Sequence, residues 1–324
     1  MPSTEPIQQT GDRENGPAFA VVCMAREAPE VVHRFVAHYA GLGAAEIFVI
    51  FDGAETPDLV ALRAEPRLDL RFVDSDYWQA TLGDHAKIFE RRLRHAAALA
   101  KAETTAPWLL VVDVDELLIA RTPVIEMLAS IPEGVESFSI PPVEAVWGPG
   151  DDLLKPYGST WFRRPIYNFP LRLVLEPTVY GRDSMFFLHN ALGHTRGKHF
   201  LRTNAVVDEI RSHGSFRHGR EITISFRDNP VLPAGNEIAH FDAISFDRWH
   251  EKFRRRYSGE IKSPTMPPQR RAQIRAIQTA FSADEGNSRE AGLGLFRRFY
   301  GLSSRQAGIL QSMGFAFRLP MFTA

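Results

Sequence analysis

Residues 108–118 read Trp108-Leu-Leu-Val-Val-Asp113-Val-Asp115-Glu116-Leu-Leu118. An apolar run without alternation, ending in two valines and following Pro107, predicts a strand buried on both faces, as in a parallel sheet. Two carboxylates arrive where that run should end. In an extended chain Asp113 and Asp115 project to one side and Val114 to the other. An acidic pair is costly to bury, which places it at the C-terminal edge of the sheet, where open α/β folds bind ligands. Two oxygen donors on one rigid strand suit Mg²⁺ or Mn²⁺, above all if substrate phosphates complete the coordination. The triplet alone is a weak signal, since acidic residues after a strand also serve as helix caps. The flanking chain has to decide.

Outward from this stretch, Phe19–Met24, Glu46–Phe51 and Leu68–Val73 are further strand-like runs. Helical patterns separate them. Val31, Val32, Phe35, Val36 and Tyr39 share one face, closed by Gly41 and Gly43, and a shorter helix covers Pro57–Glu65. A long helix is predicted from Asp84 to Lys101, its Ala96–Ala100 end being strongly helix-forming. The alternation predicts an α/β fold with a mostly parallel, Rossmann-like central sheet flanked by helices. Neither Gly-x-Gly-x-x-Gly nor Gly-Lys-Ser/Thr occurs, so Rossmann dehydrogenase and P-loop readings lose support. The expected organisation is a disordered leader over 1–17, one domain over 18–262 and a helical C-terminal extension over 263–324. Within the domain, 18–120 is the nucleotide-binding half and 121–262 a loop-rich half.

The formal net charge of −1 argues against a dedicated nucleic-acid binder. A single cysteine, Cys23, excludes an internal disulfide framework and a Cys-rich zinc site. Met1–Gly16 is polar and lacks a signal-peptide core, and no apolar run is long enough to span a bilayer. A cytoplasmic protein is expected. The basic cluster Lys252-Phe-Arg-Arg-Arg256 and the apolar stretch Met313–Phe322 add peripheral contact with the inner face of the membrane as a further expectation. The residues do not specify an oligomeric state.

Four motifs then fall in order: Arg26-Glu27 after the first strand, a helix carrying His38-Tyr39 and Gly41-Leu-Gly43, Ile47-Phe-Val-Ile-Phe-Asp52-Gly53, and Trp108–Leu117. Together they resemble family 2-like glycosyltransferases, in particular a bacterial branch related to the family 92 enzymes. The likeness covers residues 18–120 and continues more loosely through Val146-Trp147-Gly148, Gly197-Lys198, Arg211-Ser212-His213 and Ala239-His240-Phe241. The chain departs from that pattern at Arg34-Phe35, where the family has Glu-Trp, and at Leu117, where it has Phe.

The resemblance implies a GT-A fold and transfer of a sugar from a nucleotide-diphosphate donor, UDP-sugars favoured, to a glycan, lipid-linked or other hydroxyl acceptor; inversion is the expectation, with retention as the alternative. It implies Mn²⁺ or Mg²⁺ held directly by Asp115, with Asp113 reaching the ribose or the metal through water. Ala25, Glu27 and Asp52 would lie beside the base. Lys198 would contact the donor phosphates, and His213 would complete the metal sphere or face the diphosphate.

Other candidates come from the residues themselves. Lys87 and Arg91, spaced i, i+4, would share a helix face that could aim at a diphosphate, although such pairs are usually solvated. An inverting transferase needs a carboxylate to deprotonate the acceptor. Glu144 ranks first, after a strand-like run over Ser137–Val143 and before Trp147-Gly148; Asp208 ranks second, ahead of Asp183 and Glu209. His189, His194 and His199 match no zinc spacing, and Trp147, Tyr157 and Trp161 are expected to pack rather than stack on sugars. Two alternatives stand beside the transferase. A haloacid dehalogenase-like phosphotransferase has a nucleophile strand that Val-Val-Asp-Val-Asp resembles, but here three strand–helix units come first. A non-catalytic nucleotide-sugar or glycan-binding module is the other.

Overall fold

The computed structural model describes residues 18–257, 268–282 and 285–322. The first half alternates as its sequence predicts: β1 (Phe19–Ala25), α1 (Pro29–Gly41), β2 (Glu46–Asp52), α2 (Pro57–Ala61), β3 (Leu68–Val73), α3 (Ser75–Leu82), α4 (Phe89–Glu103) and β4 (Trp108–Val111). The four strands are parallel in the order β3-β2-β1-β4. Period-two alternation divides them between two cores. Phe19, Val21, Cys23, Trp108 and Leu110 face the apolar stripe of α1, while Ala20, Val22, Met24, Leu109 and Val111 face Leu93, Ala96, Ala97 and Ala100 of α4. This is the mixed α/β fold with a parallel-rich central sheet that the sequence predicts.

The second half contributes β5 (Glu116–Ile119), α5 (Val124–Ala129), β6 (Ser137–Ile140), β7 (Pro142–Val146), β8 (Trp161–Arg163), α6 (Phe169–Tyr180), β9 (Lys198–Arg202), β10 (Glu209–Arg211), β11 (Gly214–Arg217), β12 (Arg220–Glu221) and β13 (Glu237–His240). Antiparallel β9 joins the central sheet beside β4, and β6 lies beyond it. The run expected as one strand over Ser137–Val143 is two strands in two sheets. Pro141 cannot donate to a ladder, and its carbonyl accepts instead from the Ile238 N–H at 2.8 Å, so the chain changes sheet there. The second sheet runs β14-β8-β7-β13-β5, its edge strand β14 (Ala316–Arg318) coming from the C-terminal segment.

Before it come α7 (Phe246–Tyr257), α8 (Pro268–Phe281), α9 (Glu285–Tyr300) and α10 (Ser304–Ser312). Trp147, Phe246, Trp249, Phe296 and Tyr300 form one aromatic core across these elements. The segment expected as a C-terminal extension therefore packs into the protein, and Phe322 rests on Tyr157 and Phe241. The expected leader and the expected boundary at 262/263 lie outside the described residues. No described helix is long and apolar enough to cross a membrane.

One helix begins later than its pattern predicts. Gly83, at φ 53°, ends α3, and a single 3₁₀ turn over Gly83–His85 precedes α4. Lys87 thus lies ahead of the helix that carries Arg91, and both are exposed.

Candidate functional site

The C-terminal ends of β1, β2 and β4 lie side by side, bringing Ala25, Asp52 and the acidic stretch to one edge. After Val112, whose N–H still reaches Val22 O at 3.2 Å, the chain stops being extended. Asp113 O accepts from the Glu116 N–H at 3.0 Å, and the Asp113 N–H donates to Glu116 Oε2 at 2.8 Å. The expected same-side pair on one strand is therefore corrected to two carboxylates on a tight turn. Two residues of α1 hold the strand that leaves this turn. Tyr39 Oη donates to Glu116 O at 2.9 Å and His38 Nε2 to Leu118 O at 3.0 Å, which is why that helix and the acidic turn occur together.

Each aspartate faces a lysine. Lys198, 1% exposed, donates to Asp113 Oδ2 and to Ser212 Oγ, both at 2.7 Å, and lies 3.1 Å from Glu116. Burial pushes the Asp113 carboxyl up, but the Lys198 ammonium outweighs it and holds the group below its ordinary value. Burial drives Glu116 the other way, up to about 7. An ammonium enclosed by three oxygen partners is not free to reach a donor phosphate, which corrects the role expected of Lys198. It anchors the turn instead. Asp115 Oδ2 lies 3.5 Å from Lys252 Nζ, which also donates to Asp242 Oδ1 at 3.1 Å. His240 stands across the ladder from Glu116; burial opposes its charge, yet Asp115, Glu116 and Asp242 raise its pKa above the ordinary value.

Asp113 Oδ1 is buried without a hydrogen-bond partner among the described residues. A buried carboxylate oxygen is rarely left this way in a protein that binds nothing there. His213 is near enough to Asp113 to feel its charge. Its Nδ1 lies 2.6 Å from Gly197 O; a carbonyl only accepts, so Nδ1 carries the proton and Nε2 keeps its lone pair. Burial and the nearby Lys198 hold the imidazole neutral. Oxygen donors from Asp113 and Asp115 suit Mn²⁺ or Mg²⁺. Among the described residues no three His, Cys, Asp or Glu side chains form a group that could hold a metal ion, so a cation here would need further oxygens from substrate.

Asp52 closes the other end of the edge. It accepts from Trp78 Nε1 at 2.8 Å and from Arg92 Nη1 at 2.6 Å, with Arg26 at 3.9 Å. Arg92 of α4, rather than Lys87 or Arg91, reaches Asp52. Ala25 is buried and Glu27 half-buried beside it. Nothing local in the sequence marks Trp78, Arg92 or Asp242, and Lys252 reads there only as part of a basic cluster: each is brought to the edge by a separate element.

The two carboxylates expected from sequence as bases both have partners within the fold. Glu144 is 4% exposed and saturated: Arg163 Nε donates to it at 2.7 Å, with Nη2 closer still, and the Leu192 and Gly193 N–H groups at 3.1 and 2.8 Å. A carboxylate so held is a structural anchor. Asp208 has its partners within the small hairpin, where it accepts from the His218 N–H. Asp183 pairs with Arg298 and Glu209 with Arg211. Beside His213 opens a pocket of about 350 Å³, walled in part by Arg196, Thr223, Ser225, Arg227 and Asp228. Trp147 and Tyr157 are buried in packing contacts.

No protein-family model matches the chain, and no curated protein matches it. Solved structures do. A mycobacterial protein is similar over 69% of this chain and 66% of its own, at 15% identity and a TM-score of 0.31. Glucosyl-3-phosphoglycerate synthase from Mycobacterium tuberculosis, in complex with Mn²⁺ and UDP-glucose, is similar over 62% of each chain, at 14% identity and a TM-score of 0.29. The same synthase with Mn²⁺, UDP and phosphoglyceric acid aligns over 58% of this chain and 56% of its own, at 15% identity and a TM-score of 0.28. The chain thus spans less than two thirds of the length of each. Likenesses at these scores assign no residue here.

Proposed function

We propose that this protein is a metal-dependent glycosyltransferase of GT-A fold, taking its sugar from a nucleotide-diphosphate donor, UDP-sugars favoured. The observation that carries this reading is the buried, unpartnered Oδ1 of Asp113 at the C-terminal edge of a parallel sheet. Asp113 and Asp115 would hold Mn²⁺ or Mg²⁺, with donor oxygens completing the coordination and His213 facing the diphosphate. The cation, when bound, supplies Lewis-acid stabilisation of the departing diphosphate. Lys198 keeps Asp113 ionised and in place, and the Gly197 carbonyl holds His213 in the tautomer whose Nε2 is unprotonated. Asp52, fixed by Trp78 and Arg92, with Glu27 and the space left by Ala25, would receive the nucleotide base.

The pocket beside His213 would take the hydroxyl acceptor, a glycan or a lipid-linked sugar. With Glu144 committed to Arg163 and the pocket's Glu221 paired with Arg196, Asp228 on that pocket's wall would accept the acceptor's proton in an inverting transfer. The test is release of nucleoside diphosphate from UDP- and GDP-sugars with Mn²⁺. Turnover that is abolished by chelation and by Asp113→Asn, with Asp228→Asn lowering kcat while nucleotide affinity holds, is the expected result. No release from any donor overturns the reading.

A further inference from the structure

α6 presents an apolar face to solvent. Asn168 Oδ1 caps the helix on the Leu171 N–H at 2.9 Å. Its inward side buries Leu175, Val179 and Tyr180. Phe169, Leu173 and Val174, on the opposite side, are 59%, 57% and 68% exposed, and Met185 just beyond the helix is 60% exposed. Isolated exposed apolar residues need no explanation, but several gathered on one helix face mark a contact surface.

The charges around this face have one sign. Glu176 is turned into the core, where it accepts the Asn190 N–H at 2.5 Å, and Asp183 is tied to Arg298. Arg172 lies against the Phe169 ring at 5.2 Å and Arg182 is exposed, with no ion pair among the described residues. An apolar helix face flanked by Arg172 and Arg182, with Glu176 and Asp183 both engaged, complements an anionic bilayer surface. It does not complement itself: in a two-fold dimer through α6, the arginine-flanked face of one copy would meet the same arginine-flanked face of the other. Of the basic cluster on α7, Lys252 points inward to Asp115 and Asp242, and the side chains of Arg254, Arg255 and Arg256 lie outside the described residues.

We propose that α6 docks this protein on anionic membrane, with Phe169, Leu173, Val174 and Met185 entering the headgroup boundary. The face also leads to the candidate acceptor pocket. Tyr167, just before α6, donates to Thr195 O at 2.7 Å and carries the Arg227 guanidinium 4.7 Å above its ring, and Arg227 lines the pocket beside His213. Resting on the function proposed above, this places the pocket mouth at the headgroups and selects a lipid-linked acceptor over a free glycan.

The test is co-sedimentation of the full chain with vesicles of phosphatidylglycerol and phosphatidylcholine, and with phosphatidylcholine alone. Wild type should sediment with the anionic vesicles. A Leu173→Glu/Val174→Glu variant should bind about tenfold more weakly or worse. Arg182→Glu, a surface change that leaves the apolar residues in place, should lose binding in a salt-dependent way if the double variant does not fold. Wild type left in the supernatant with both vesicles, or variants binding like wild type, overturns the proposal. So does a dimer in equilibrium sedimentation that the double variant dissolves. Nucleotide titration is independent of these readouts, so failure of docking and failure of the transferase reading are told apart.

Discussion

Lys198 Nζ lies 2.7 Å from Asp113 Oδ2 and 3.1 Å from Glu116 Oε2, with the lysine wholly enclosed. The pair fixes the acidic turn and sets its charge. Removing one member of a buried ion pair leaves the other without compensation, at a cost of about 3–5 kcal/mol. Lys198→Met should lower unfolding free energy by that order in urea denaturation and weaken nucleotide binding as well. Stability within about 1 kcal/mol of wild type would show that the turn does not depend on the lysine.

Glu144 and Arg163 form a second buried pair, 4% and 0% exposed. Glu144→Gln keeps the shape and removes the charge that Arg163 needs. We expect a stability loss of about 3 kcal/mol with nucleotide affinity retained. A variant of normal stability that has lost turnover would return Glu144 to the role of base.

Tyr39→Phe removes a buried hydrogen bond to Glu116 O and little volume. The expected cost is about 1–2 kcal/mol, read by denaturation, with weaker nucleotide binding because β5 no longer pins the turn.

Burial lowers the pKa of His38 to about 4, only partly offset by its bond to Leu118 O. The unfolded chain, titrating near the ordinary value of about 6.5, binds more protons than the native state between these values. This contribution is therefore complete above about pH 6.5 and is lost as pH falls through about 4. His38→Gln should show a shallower decline of stability over that window than wild type. Parallel pH profiles of the two proteins would contradict it.

Much of this was legible in the sequence, and the exceptions have physical reasons. The alternation of β1 and β4 residues between two helices follows from strand periodicity, so the sheet and its acidic edge could be placed from Trp108–Leu118 together with the strand–helix units that precede it. The geometry of the turn could not. It depends on Glu116 folding back on the Asp113 N–H and on Lys198 arriving from β9, far along the chain. Asp52 comes from the resemblance and from its place at a strand end, but its partners Trp78 and Arg92 lie on separate helices with no shared local pattern. The pairing of Glu144 is not legible because a carboxylate after a strand looks the same in sequence whether or not a buried arginine from β8 faces it. The apolar face of α6 shows only in three dimensions, where one side of an apolar helix stays uncovered.

The central claim is most directly tested by calorimetric titration of UDP and GDP, with and without Mn²⁺, on wild type, Asp113→Asn and Asp115→Ala. The account predicts binding of one nucleotide that requires the metal and is lost in both variants, while thermal unfolding of Asp115→Ala stays cooperative. Absence of binding by either nucleotide under both conditions, or binding that ignores the metal and both substitutions, would contradict it.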